Sequence, residues 1–158
     1  MEDHDKFIKA LRNLAYPVCI ISNSDNGDKH AITVSSMTSL SLDPASLLAC
    51  INKSANIHQT LKVGNFLYVN LLSSSQEDIS GICSSNDPNL SRFENDHWSY
   101  DENDIPFLNS SQAIIGCTID GIVDHATHSI LILSVGEVIL NDDNPDPLLY
   151  CNGEYLKI

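Results

Sequence analysis

Between Thr33 and Pro44 the chain carries Thr33, Ser35, Ser36, Thr38, Ser39 and Ser41, then turns apolar at Leu47-Leu48-Ala49-Cys50-Ile51 before Asn52-Lys53-Ser54-Ala55. Buried hydroxyls need hydrogen-bond partners. So dense a run of small donors next to a strand predicts a connector shaped for a polar, flat or phosphorylated ligand. The segment after it extends that logic. Ser54 as the N-cap of a helix carrying Ile57 and Leu61, closed by Gly64, would present free backbone N–H groups to an anion, with Lys53 beside them as a point charge.

The rest of the chain is dominated by strand patterns. Phe7, Leu11 and Leu14 recur at helical spacing behind Asp3 or Asp5 as N-cap, and Pro17 ends that helix. Val18-Cys19-Ile20-Ile21 and His30-Ala31-Ile32-Thr33-Val34 flank the turn signal Asn23–Asp28, which reads as a hairpin. Phe66 to Leu72 is the strongest strand, and Ser74-Ser75-Gln76-Glu77 is a capping-box pattern for a short helix through Ile82. Residues 84–104 are polar and read as a long loop, with Trp98 and Phe93 pinning it and Asp101, Glu102 and Asp104 as a solvated acidic stretch. Ala113–Ile122, Ser129–Leu140, Leu148–Cys151 and Tyr155–Ile158 complete the strands. Many strands with a few inserted helices predict a mainly β, antiparallel Greek-key barrel or sandwich, formed as one domain over residues 1–158.

Composition narrows the function. A net charge of −13, with Arg12 and Arg92 as the arginines, excludes a nucleic-acid binder, because phosphate-backbone recognition needs clustered cations. An anionic cofactor must then be held by local donors against a repulsive overall field. No apolar run reaches membrane-spanning length, and the acidic start is unlike a secretory signal, so no membrane contact and a cytoplasmic location are expected. Cys19, Cys50, Cys83, Cys117 and Cys151 form no Cys-x-x-Cys pair and read as reduced, buried thiols. His4, His30, His58 and His97 lack ligand spacing, so no metal is expected. No Gly-x-Gly-x-x-Gly or Walker-type loop is present.

In order along the chain, Tyr16-Pro17-Val18, Thr33-Val34-Ser35-Ser36 through Ser41-Leu42-Asp43-Pro44, Asn52-Lys53-Ser54-Ala55, Phe66-x-x-x-Asn70-x-Leu72, Arg92-Phe93, the Cys117-to-His128 spacing and Leu148-Leu149-Tyr150 with Tyr155 resemble the flavin reductase-like family. That resemblance implies an FMN-binding split β-barrel, a homodimer holding FMN or FAD near the subunit interface, and NADH or NADPH delivering hydride to the flavin. It places Thr33, Val34, Ser35, Ser36, Ser39, Leu40 and Ser41 along the isoalloxazine and ribityl chain. Asn52, Lys53, Ser54 and Ala55 would hold the phosphate side. Arg92 and Phe93 would lie near the phosphate or the dimer partner, Tyr155 would join the cofactor shell, and His128 would serve the nicotinamide.

Three positions depart from the family pattern. Ala126-Thr127-His128 stands where Gly-Asp-His is common, and Leu133 replaces a frequent glycine. His125, directly after Asp124, is the alternative histidine. Three functions follow as expectations: an NAD(P)H-dependent flavin reductase supplying a partner oxygenase or redox protein, a flavin-binding electron-transfer protein that takes no nicotinamide, or a barrel kept as an interaction module. An imidazole at this place can donate to the flavin or position a carboxamide, while the hydride chemistry belongs to the cofactors.

Overall fold

The computed structural model describes residues 2–141 and 143–158; residues 1 and 142, which the one-domain expectation includes, lie outside the described residues. Seven antiparallel strands form one sheet in the order β3 (Asp28–Val34), β2 (Cys19–Asp25), β6 (Phe66–Leu71), β9 (Ala113–His125), β10 (His128–Leu140), β5 (Ala45–Asn52), β4 (Met37–Leu42). Laid flat, such a sheet would be about 29 Å across its six gaps. Yet β3 and β4, its opposite edges, are joined by Ser35-Ser36 alone. Three Cα steps reach at most roughly 11 Å. The sheet therefore curls until the end of β3 and the start of β4 lie close together, and Ser36 ties the link to β5 by continuing the β4–β5 ladder: its Oγ donates to the Cys50 carbonyl at 2.8 Å and its carbonyl accepts from Cys50 N at 3.3 Å. Register shifts at Ser39/Ser41, Ile132/Leu133 and Val135/Glu137 supply the bends. The result is the split barrel expected from the sequence.

Side-chain alternation fills two cores. Cys19, Ile21, Ala49, Ile51, Leu67, Val69, Cys117, Ile119, Leu131 and Leu133 point into the barrel. Val18 and Ile20, the alternate residues of the same run, point outward and pack with Leu72, Ile79, Cys83, Trp98, Leu108 and Leu148. The second layer is built by helix α2 (Glu77–Ser84), the hairpin of β7 (Trp98–Tyr100) and β8 (Pro106–Leu108), and a small sheet of β1 (Tyr16–Pro17), β11 (Leu149–Cys151) and β12 (Glu154–Leu156). Burial on both faces explains why the Val18–Ile21 run is continuous rather than alternating, each such side chain contributing about 1.5–3 kcal/mol.

Asn70, from the Phe66-x-x-x-Asn70 motif, ties the layers together. Its Nδ2 donates to the Ile20 carbonyl (2.9 Å) and to Ser22 Oγ (3.1 Å), and its Oδ1 accepts from Leu108 N (2.8 Å). Ser22 Oγ in turn donates to the Pro106 carbonyl at 2.6 Å.

Several local expectations are corrected. Helix α1 (Glu2–Leu11) contains Asp3 and Asp5 instead of being capped by them, and it stops before Leu14 and Pro17 because the Asn13 amide donates to the Lys9 and Ala10 carbonyls at 2.9 and 3.4 Å. The hydroxyl-rich connector is itself a strand, β4, since an edge strand with one solvated side tolerates Ser and Thr. The capping interaction is shifted by one residue: Gln76 Oε1 accepts from Ser73 N at 3.0 Å, and α2 starts at Glu77. The 84–104 loop contains β7, anchored where Trp98 Nε1 donates to the Arg92 carbonyl at 2.6 Å and its ring meets Phe93 at 4.9 Å. The Asn26-Gly27 turn, with φ of 52° and 86°, is the hairpin the sequence indicates.

Asn70→Ala removes three bonds and strands the Leu108 N–H in the core. We expect a loss of about 2–4 kcal/mol in urea unfolding, with the Trp98 fluorescence transition moving to lower denaturant.

Candidate active site

The curled sheet leaves a cavity of about 530 Å³ outside β3. Its walls come from Lys29, His30 and Ile32 on β3, the segment Ser54–Ile57 with Gln59, Cys83 and Ser84 at the end of α2, and Asn86, Arg92 and Phe93 from the following loop. A smaller cavity of about 160 Å³ adjoins it through Ser84 and is lined by Val18, Thr33, Ser35, Tyr150 and Tyr155. Together they make a track along β3 toward the Ser35-Ser36 joint.

Among the residues expected at the site, Ser54, Ala55, Arg92 and Phe93 meet in the larger cavity, and Thr33, Ser35 and Tyr155 in the smaller. The rest fall elsewhere. Val34 is buried toward the barrel interior, and Ser39, Leu40 and Ser41 lie on β4, outside both linings. Several hydroxyls are already satisfied by protein: Thr33 Oγ1 donates to the Ser80 carbonyl at 2.6 Å, Ser36 Oγ to the Cys50 carbonyl, and Tyr155 Oη shares a 2.8 Å bond with Ser80 Oγ.

The helix expected after Ser54 is a single 3₁₀ turn, Asn56–Thr60, preceded by Ala55 with no side-chain cap. Ser54 does not cap it. Its N–H and Oγ both bond Asn52 Oδ1 at 2.9 Å, which ties down the turn that enters the cavity wall. No helix N-terminus is available there for an anion. Lys53 Nζ lies 3.6 Å from Asp124 Oδ2 and outside the cavity lining.

Lys29 and Arg92 both line the wall, and Lys29 is paired with Asp104 at 2.7 Å. Arg92 Nη2 donates to the Ser85 carbonyl at 2.7 Å, while its buried Nε has no partner among the described residues. An unpaired guanidinium donor beside hydroxyl and amide side chains suits an anionic ligand group. Burial pushes the neighbouring Cys83 thiol up to about 12, against the opposite pull of Arg92. Sequence reasoning missed His30, Gln59, Ser84 and Asn86, which converge only through the fold.

At the β9–β10 hairpin tip, His128 is exposed, with Nδ1 sharing a 2.9 Å bond with Thr127 Oγ1, and it pairs across the strands with His125 and Asn52. Lys53 N donates to the Thr127 carbonyl at 2.9 Å. The tip thus lies against the stretch that leads into the cavity wall. The Ser129 hydroxyl, followed by Lys53, holds the Asp124 carboxyl below its ordinary 3.8. Among the described residues no group of His, Cys, Asp or Glu could hold a metal ion, and no helix is long and apolar enough to cross a membrane.

Cys83 sits in the cavity wall yet is buried and protonated at neutral pH. Iodoacetamide at pH 8 should leave it unmodified in the native protein and label it after unfolding, read by peptide mass spectrometry; rapid native labelling would contradict the packing.

Comparisons with known proteins agree with this architecture. Residues 11–158 match the flavin reductase like domain family. The chain is 31% identical over 153 residues to the reductase component of an FADH(2)-dependent resorcinol hydroxylase from a Rhizobium species, covering 94% of this chain and 84% of that protein. It is 28% identical over 149 residues to the FMN reductase (NADH) RutF of Pseudomonas syringae, covering 94% and 83%. Among solved structures, the styrene monooxygenase flavin reductase from Pseudomonas putida superposes with a TM-score of 0.84 at 26% identity, over 97% of both chains. This chain belongs to the flavin reductase-like family.

Proposed function

We propose that the chain is an NAD(P)H-dependent flavin reductase whose β3 cavity receives FMN or FAD. The observation that carries this is the Arg92 guanidinium, in the wall of a 530 Å³ cavity with one buried N–H that has no partner among the described residues. The nicotinamide supplies hydride and the flavin accepts it; the protein's task is binding and alignment. Arg92 binds the phosphate end, assisted by Ser54 and the side chains of Asn56 and Asn86. Asn52 fixes the turn that presents Ser54. The Phe93–Trp98 pair stiffens the wall opposite β3. Thr33, Ser35 and Tyr155 border the track on which the ring system lies, and His128 orients the nicotinamide carboxamide from the hairpin tip.

The same reading takes the active form as a homodimer. Phe7 on α1, Leu42 at the end of β4 and Leu140 at the end of β10 are 59%, 90% and 68% exposed, apolar surface that a second copy would cover. The relatives named as reductase components support an oxygenase as the consumer of reduced flavin, and the acidic surface suits a basic docking partner.

Consumption of NADH or NADPH in the presence of FMN or FAD tests the reading directly. We expect turnover with at least one donor, and Arg92→Ala to raise the FMN dissociation constant about tenfold or more, the worth of a charge-assisted hydrogen bond. Flavin binding without turnover on either donor would favour the electron-transfer alternative, which the altered Ala126-Thr127 pair beside His128 leaves open.

A further inference from the structure

Asp124, Ser129, His58 and Lys53 come from three separate stretches of chain and meet beneath the hairpin tip. Ser129 is fully buried. Its Oγ donates to Asp124 Oδ1 at 2.6 Å and lies 2.8 Å from His58 Nε2, while Lys53 Nζ stands 3.6 Å from Asp124 Oδ2. Proton counting fixes the directions. The ionised carboxylate can only accept, the serine has one proton and spends it on Asp124, and so His58 Nε2 must carry the proton that reaches Ser129. This order, His to Ser to Asp, places serine in the middle and makes it an acceptor toward the imidazole, so it is not the arrangement of an activated nucleophile.

The relay joins two parts of the site. His58 lies between Ile57 and Gln59, both in the cavity wall. Asp124 and Ser129 face each other across β9 and β10, flanking the tip that carries His128. Lys53 adds the backbone bond to Thr127.

We infer that Asp124, Ser129 and His58 are positioning residues that lock the cavity wall in register with the His128 tip, so that the flavin-binding wall and the nicotinamide-facing tip are held as one body. This rests on the flavin reductase reading. The sequence gives no spacing signal for it, because the three residues are adjacent only once β9 and β10 pair and the 3₁₀ turn packs beneath them.

The test has an arm that needs no flavin. Imidazole ¹⁵N spectra of the flavin-free protein, at a pH where His58 is neutral, should show the Nε2–H tautomer. In Asp124→Ala the serine proton is released to bond His58 Nε2, and the tautomer should switch to Nδ1–H. In the catalytic arm, Asp124→Ala and Ser129→Ala should lower kcat/KM for the nicotinamide about tenfold, the scale of a small misplacement of reacting groups. Asp124→Asn, whose amide oxygen still accepts from Ser129, should stay within about twofold of wild type. An Nδ1–H tautomer in the unsubstituted protein, or Asp124→Ala leaving both tautomer and kcat/KM unchanged in a protein that reduces flavin, would overturn the relay. Should the unsubstituted protein fail to reduce flavin, the functional reading falls instead, and the tautomer arm still decides the hydrogen-bond order.

Discussion

The structure depends on the shortness of the Ser35-Ser36 link between the two outermost strands of a seven-stranded sheet. A connection that short between opposite edges leaves the sheet no choice but to close. Closure buries the inner faces of β2, β5, β6, β9 and β10 against one another, and it brings the 3₁₀ turn after β5 beside β3. The ligand track forms on the outer side of that joint. The same two serines that limit the width of the barrel therefore also fix where the cavity beside β3 can lie.

Charge is distributed so that one cavity of this acidic chain suits the anion proposed for it. Lys29 is engaged by Asp104 at 2.7 Å and lies over the Tyr100 ring, and Lys53 is engaged by Asp124. Arg92 instead gives Nη2 to a neutral carbonyl, and among the described residues its Nε has no partner. The local field in the cavity can then oppose the net charge of the whole molecule. A second cleft, lined by Phe66, Tyr68, Asp101 and Glu137, has the opposite character. There the Tyr68 hydroxyl faces both carboxylates, and burial followed by the Glu137 hydrogen bond pushes its proton affinity up, an environment that disfavours phosphate.

Much of the fold was legible in the sequence because hydrophobic period and turn chemistry are local. The Asn26-Gly27 hairpin follows from a turn dipeptide between two β-type runs, the Phe66–Leu71 strand from a continuous β-type run, and β9 and β10 from two long β-type runs whose pairing the sequence did not show. What was not legible depended on long-range satisfaction of polar groups. Ser36 and Thr33 look like ligand donors until Cys50 and Ser80 are found as their acceptors. Ser54 looks like a helix cap until Asn52 claims both its donors. Ser54, Ala55, Arg92 and Phe93, named from the collinear motifs, line one cavity, whereas His30, Ser84 and His58 carried no pattern, since each enters through the packing of a different element.

On the proposed reading, barrel closure makes the β3 groove, with Arg92 in its wall, the place where flavin binds. Amide ¹H–¹⁵N shifts followed through an FMN titration test this most directly. The changes should gather on Ile32, Ser54–Ile57 and the Ser84–Phe93 stretch. Changes gathered instead on Phe66, Tyr68 and Glu137 would contradict it.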